Sequence, residues 1–129
     1  MNILKKIRLI VVCFLLGFSV NASADIVAIS SLDRPAFNHS DLKSLWAGQF
    51  PDVQITENRS IEDVFYIVNL SVNMNVFRQT VSKKASRRLI NEPVFLNTDI
   101  AVVNYVTDHK NAVGYVKREN VTPKVRIIE

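Results

Sequence analysis

Cysteine, glycine and histidine are scarce in this chain, and each shortage removes a class of chemistry. The single cysteine, Cys13, sits inside an apolar run near the N-terminus. The rest of the chain therefore has no disulfide, no thiol nucleophile and no thiolate metal site. No small-residue cleavage motif precedes Cys13, so it is not a lipoprotein cysteine. Three glycines leave little material for a phosphate-binding P-loop or a dinucleotide fingerprint, and neither spacing occurs. Ser30, Ser31 and Ser82 lack the glycine pattern of a nucleophile elbow. His39 and His109 each stand without a second ligand at i+4, and both read as surface histidines. Asp33, Asp41, Glu62, Asp63 and Asp99 are absorbed by turns and helix caps. These absences point away from an enzyme, and no metal and no cofactor is expected.

What is present begins with residues 1–24. Lys5, Lys6 and Arg8 form a basic start, Leu9 to Phe18 is apolar apart from Gly17, and Ala22-Ser23-Ala24 ends the segment. A run of about ten residues is too short for a bilayer, which needs roughly 20. The pattern is that of a cleaved secretory signal peptide, with Asp25 as the first mature residue and the periplasm as destination. The leader holds three of the sixteen basic residues and none of the twelve acidic ones. Thirteen basic residues then face twelve acidic ones, a formal charge of +1. Net charge gives no support to nucleic-acid binding. Residues 25–129 are expected to form one domain, since no repeat, low-complexity segment or linker divides them.

Within that domain, strands alternate with helices. Asp25 to Ser30 reads as a buried strand, followed by a turn at Asp33-Arg34-Pro35. Asn38 or Ser40 can cap a helix through Leu42, Leu45 and Trp46 that Gly48 ends. Val53 to Thr56 is a second strand. Ser60 with Glu62 and Asp63 resembles a capping box, opening a helix whose face is Ile61, Val64, Phe65, Val68 and Val72. Asn75 to about Leu89 reads as a helix with Val76, Phe77 and Val81 inside and a basic face outside. Thr98-Asp99 caps a helix through Ile100, Val103 and Val106 or Tyr105. Ala112 to Val116 and Lys124 to Ile128 close the chain as strands. Trp46, Phe65, Tyr66 and Phe77 are expected in the core. The fold class is α/β, a mixed sheet flanked by helices with partly parallel pairing.

The order of motifs resembles phosphate ABC-transporter substrate-binding proteins. It is carried by Ser40-Asp-Leu-Lys-Ser-Leu-Trp-Ala-Gly48, by a short strand ending near Arg59, by the Phe65-Tyr66 and Phe77-Arg78 helices, and by Asn111-Ala-Val-Gly-Tyr-Val116. The resemblance covers the mature chain but only one lobe of a two-lobed, periplasmic-binding-protein-like fold. It implies that Arg59 and Ser60 are the inherited ligand contacts, with phosphate or a related oxyanion as ligand. The family follows its arginine with a glycine-rich helix start that cradles the anion. Here Asn58-Arg59-Ser60-Ile61-Glu62-Asp63 has no glycine and carries two acids in the first turn. Ser60 as a helix cap and Arg59 as a solvated side chain is the alternative reading.

Arg78, Lys83, Lys84, Arg87 and Arg88 put five positive charges into eleven residues. They form either an interaction patch for an anionic surface or partner, or an ordinary solvated helix face. Two functions stay open. One is an exported solute-binding protein that takes an oxyanion weakly and serves a membrane transporter. The other is a non-catalytic envelope adaptor or sensor accessory that has lost ligand binding and docks on an envelope protein or forms a homodimer.

Overall fold

The computed structural model describes residues 25–34 and 36–129. Residues 1–24, where a leader is expected, and Pro35 of the expected turn lie outside the described residues.

The first strand, β1 (Ile26–Ser31), is buried throughout. A 3-10 turn (His39–Asp41) leads into α1 (Leu42–Trp46), which buries Leu42, Leu45 and Trp46. Gly48 stops this helix at φ +75, a left-handed conformation that costs glycine little. Next come β2 (Gln54–Asn58), the short α2 (Glu62–Val64), a π-helix (Phe65–Leu70) and α3 (Met74–Ser86). The chain closes with β3 (Val94–Leu96), α4 (Asp99–Asp108), β4 (Ala112–Lys117), a second 3-10 turn (Arg118–Asn120) and β5 (Val125–Ile127).

The five strands form one sheet in the order β3-β2-β4-β1-β5. β2 runs parallel to both β3 and β4, whereas β1 is antiparallel to β4 and β5. Both faces of the sheet are covered. Ile26, Ala28, Ile55, Val113 and Tyr115 point to one core, with Trp46, Phe65, Tyr66, Leu70 and Val81. Val27, Ile29, Ala112, Val116 and Val125 point to the other, with Val102, Val103 and Val106 of α4. A strand buried on both faces reads as a continuous apolar run, which is why Ile26 to Ile29 carries no alternation. Gly114 lies under α4, where an added Cβ would stand 2.6 Å from Val102 Cγ1. The helix can approach the sheet this closely only because that side chain is missing.

The expected α/β order is present, with several local differences. The helix opened by Ser60 is capped by Ile61 without a side-chain bond. Ser60 instead donates its hydroxyl to Asn58 Oδ1, which also accepts the Ser60 N–H. Asn58 captures the turn because its side chain reaches the backbone two residues on. The helix itself changes to i→i+5 bonding at Phe65, which adds a residue to the turn. Phe65, Tyr66 and Leu70 are therefore buried, and Val68 turns to solvent with Ile67. Ser71, at φ 55, ends that turn. Asn73 caps α3 by accepting from Val76 N–H, so α3 starts at Met74; it ends at Ser86, and Val76 lies on its outer side, 58% exposed. Ile100 is likewise outside, and Val102 takes the inner position. The strand β3 has no counterpart in the sequence reading: three residues after Pro93 are too few to show a period.

Candidate functional site

Two clusters of polar side chains flank β2, one on each face of the sheet. The first lies at the C-terminal ends of β2 and β3, the position where open α/β sheets bind ligands. Asn58, fully buried, donates through Nδ2 to Asp99 Oδ1 (2.8 Å) and to the Tyr115 carbonyl (3.0 Å). Asp99 Oδ2 accepts from Lys117 N–H (3.0 Å) and Asn120 Nδ2 (2.7 Å). These bonds tie β2, β4, the second 3-10 turn and the start of α4 into one frame. Thr98 caps α4 by accepting from Ala101 N–H, as its position before Asp99 predicts. Over this frame sits a shallow depression of about 310 Å³, lined by Ser60, Thr98, Asp99, Ile100, Lys117 and Asn120 among others.

The second cluster is on the opposite face, beneath α3. Register places Glu57 of β2 beside Phe95 of β3. Glu57 follows Ile55 by two residues and so enters the aromatic core, where it is only 2% exposed. Tyr66 donates its hydroxyl to Glu57 Oε2 (2.6 Å) and Tyr115 donates to Oε1 (2.7 Å). Arg78 Nη2 lies 3.4 Å from Glu57 Oε1 and donates to Glu62 Oε2 at 2.7 Å. Burial pushes the Glu57 carboxyl above its ordinary value, against the pull of both tyrosine hydroxyls and Arg78. The same burial, with the Glu57 charge beside them, pushes both tyrosines up. Their phenols stay protonated and keep donating. The neighbouring Phe65 and Tyr115 rings stack at 3.8 Å, with Trp46 edge-on to both.

The structure separates the two residues that the resemblance pairs. Ser60 lines the depression at the strand ends. Arg59 turns to the α3 side, with its guanidinium 4.8 Å from the centre of the Phe95 ring. The basic cluster is divided as well. Arg78 belongs to the Glu57 network and also lies over Phe95 (5.2 Å) and Tyr66 (5.6 Å). Lys84 donates to the carbonyls of Ala47 and Gly48, closing the C-terminal end of α1. Lys83, Arg87 and Arg88 are exposed. A five-charge face on α3 is thus corrected to three exposed cations, because two of its members serve buried or capping partners. His39 and His109 are exposed as read, and His109 stacks on Tyr105 at 3.8 Å. Among the described residues, no three His, Cys, Asp or Glu side chains come together to hold a metal ion.

Glu57 lies one residue beyond the strand Val53 to Thr56 that the sequence predicts. Its signal was present: one more residue of strand puts Glu57 on the face of Ile55, and a carboxylate there must find donors.

No protein-family model matches the sequence, nor does any curated protein sequence. Among solved structures, an ABC-type phosphate transport receptor from Vibrio cholerae is similar in fold, with a TM-score of 0.61 at 12% identity. The match covers 81% of this chain and 45% of that one, so this chain spans less than half the receptor's length. At this identity the likeness concerns the fold: a mixed α/β sheet with flanking helices, of the periplasmic-binding-protein type.

Proposed function

We propose that the protein is an exported, non-catalytic lobe of solute-binding type that holds phosphate or a related oxyanion weakly. The observation that carries this reading is the depression at the ends of β2 and β3. It brings Ser60, Thr98, Lys117 and Asn120 around one opening. Asp99 shares that opening, but three donors already occupy its oxygens. Arg59 stands one residue from Ser60 and pairs with no carboxylate among the described residues. Its contact with Phe95 is worth about 0.5–1 kcal/mol at an exposed site. A charge-assisted bond to an anion is worth about 1.5–3 kcal/mol, more than that contact, so an oxyanion at the Ser60 opening would draw Arg59 off the Phe95 ring and around from the α3 side. The fold likeness to a phosphate transport receptor and the leader-like residues 1–24 support export, and with it a membrane transporter as partner.

Calorimetric titration with inorganic phosphate tests the reading. A dissociation constant of about 1 mM, or 4 kcal/mol, is expected. Arg59→Ala should weaken it about tenfold. No heat at about 10 mM phosphate overturns the oxyanion role.

The adaptor reading has one observation of its own. Ile100 stands 72% exposed on the rim of the depression, and Ile67 is 69% exposed on the π-helix. Apolar side chains this open favour a docked envelope protein or a second copy. Sedimentation as a concentration-independent monomer, with no protein crosslinked in the periplasm, counts against it.

A further inference from the structure

The cavity beneath α3 is separate from the depression where the oxyanion reading rests, and its chemistry is of the opposite sign. It encloses about 470 Å³, with Glu57 at its floor, Val81, Ala85 and Pro93 as apolar walls, and the hydroxyl of Ser82 on the α3 side. That size and mixture, mostly apolar with a few fixed polar groups, is what small-molecule sites have. Its sign follows from counting charges. Arg78 is the one cation among its lining residues, its guanidinium already shared between Glu57 and Glu62, while Arg59 stands outside the lining, over the Phe95 ring. Glu92 adds another carboxylate to the wall. An anion entering this space would meet Glu57 and Glu92 beside one committed arginine.

The acceptor count points the same way. A carboxylate oxygen can take two hydrogen bonds. Glu57 Oε1 has two, from Tyr115 and Arg78, whereas Oε2 has one, from Tyr66. The hydroxyl of Ser82, which lines the cavity, can also accept. A ligand that completes this site brings N–H donors and positive charge on a compact apolar body. Tyr66 and Tyr115 hold the carboxylate in place from the core side, so Glu57 is fixed before any ligand arrives.

We propose that this cavity is a binding site for a small primary amine, whose ammonium pairs with Glu57 while its apolar part lies against Val81, Ala85 and Pro93. The test is an NMR titration of the isotope-labelled protein with benzylamine, benzyl alcohol and benzoate, following the amides of Val81, Ser82, Ala85 and Phe95. Benzylamine is expected to give saturable shifts at these residues, with binding roughly tenfold or more tighter than for the neutral alcohol. Glu57→Gln should remove that preference, since the amide offers no charge. Equal affinity for amine and alcohol, tighter binding of benzoate, or absence of saturation at about 50 mM benzylamine overturns the proposal. Should Glu57→Gln fail to fold, Ala85→Phe decides, because it fills the cavity from α3 and leaves the buried network intact. Benzylamine shifts that persist in a folded Ala85→Phe protein place the amine elsewhere and also refute the site. None of these outcomes depends on phosphate, so the site stands or falls apart from the oxyanion reading.

Discussion

Glu57 shows how one residue can hold a core together and still tax it. Its carboxylate anchors two tyrosines and an arginine inside an aromatic cluster, at the cost of leaving water. The raised carboxyl pKa fixes the direction of its pH effect. A proton is held more tightly in the folded chain than in the unfolded one, so Glu57 favours folding most below its ordinary value of 4.5. That contribution is lost as pH rises through the folded value. Relative to the native protein, Glu57→Gln should therefore gain thermal stability as pH rises from 4.5 through the folded value, because glutamine does not titrate. Melting both proteins across that range checks it. A pH-independent difference between their melting temperatures contradicts the assignment of burial as the dominant cause.

Among the elements, the contact of α4 with β4 is the most demanding, because Gly114 leaves no clearance for a methyl group. Gly114→Ala pushes Val102 away from the sheet and should cost about 1–3 kcal/mol, the range for overpacking a tight core. Chemical denaturation would show it as a lower midpoint with an unchanged slope. The helix before α3 teaches a different lesson. Ile61, Val64, Phe65, Val68 and Val72 follow a regular helical period, yet the chain switches to i→i+5 bonding at Phe65. Burying Phe65, Tyr66 and Leu70 together, with Tyr66 reaching Glu57, outweighs the regular helix and exposes Val68. Local periodicity could not announce this, since the partner is a carboxylate nine residues away on a strand.

For the whole molecule, the sheet order puts the polar ends of β2 and β3 at one opening and Glu57 under α3 on another face. Residues 1–24 give the prediction that belongs at this scale. The protein recovered from the periplasm should begin at Asp25, read by N-terminal sequencing of a fractionated cell. A full-length chain retained with the membrane overturns cleavage at Ala24. Among the described residues, no helix is long and apolar enough to cross a membrane.

Much of the architecture is written locally. The apolar runs of β1 and β4, the cap at Thr98, the stop at Gly48 and the amphipathic α1 are set by neighbours within a few residues, which the sequence displays directly. The composition also determined what chemistry to set aside, because a missing cysteine or glycine motif needs no fold to be noticed. The sites depended on distance. Arg59 and Ser60 are adjacent in sequence but turn to opposite faces, since successive residues leaving a strand point opposite ways. Glu57, Tyr66, Arg78 and Tyr115 are dispersed along the chain and meet only when α3 closes over β2 and β4. Burial makes Glu57 the centre of that network, because a carboxylate withdrawn from water must be met by donors from wherever the fold can bring them.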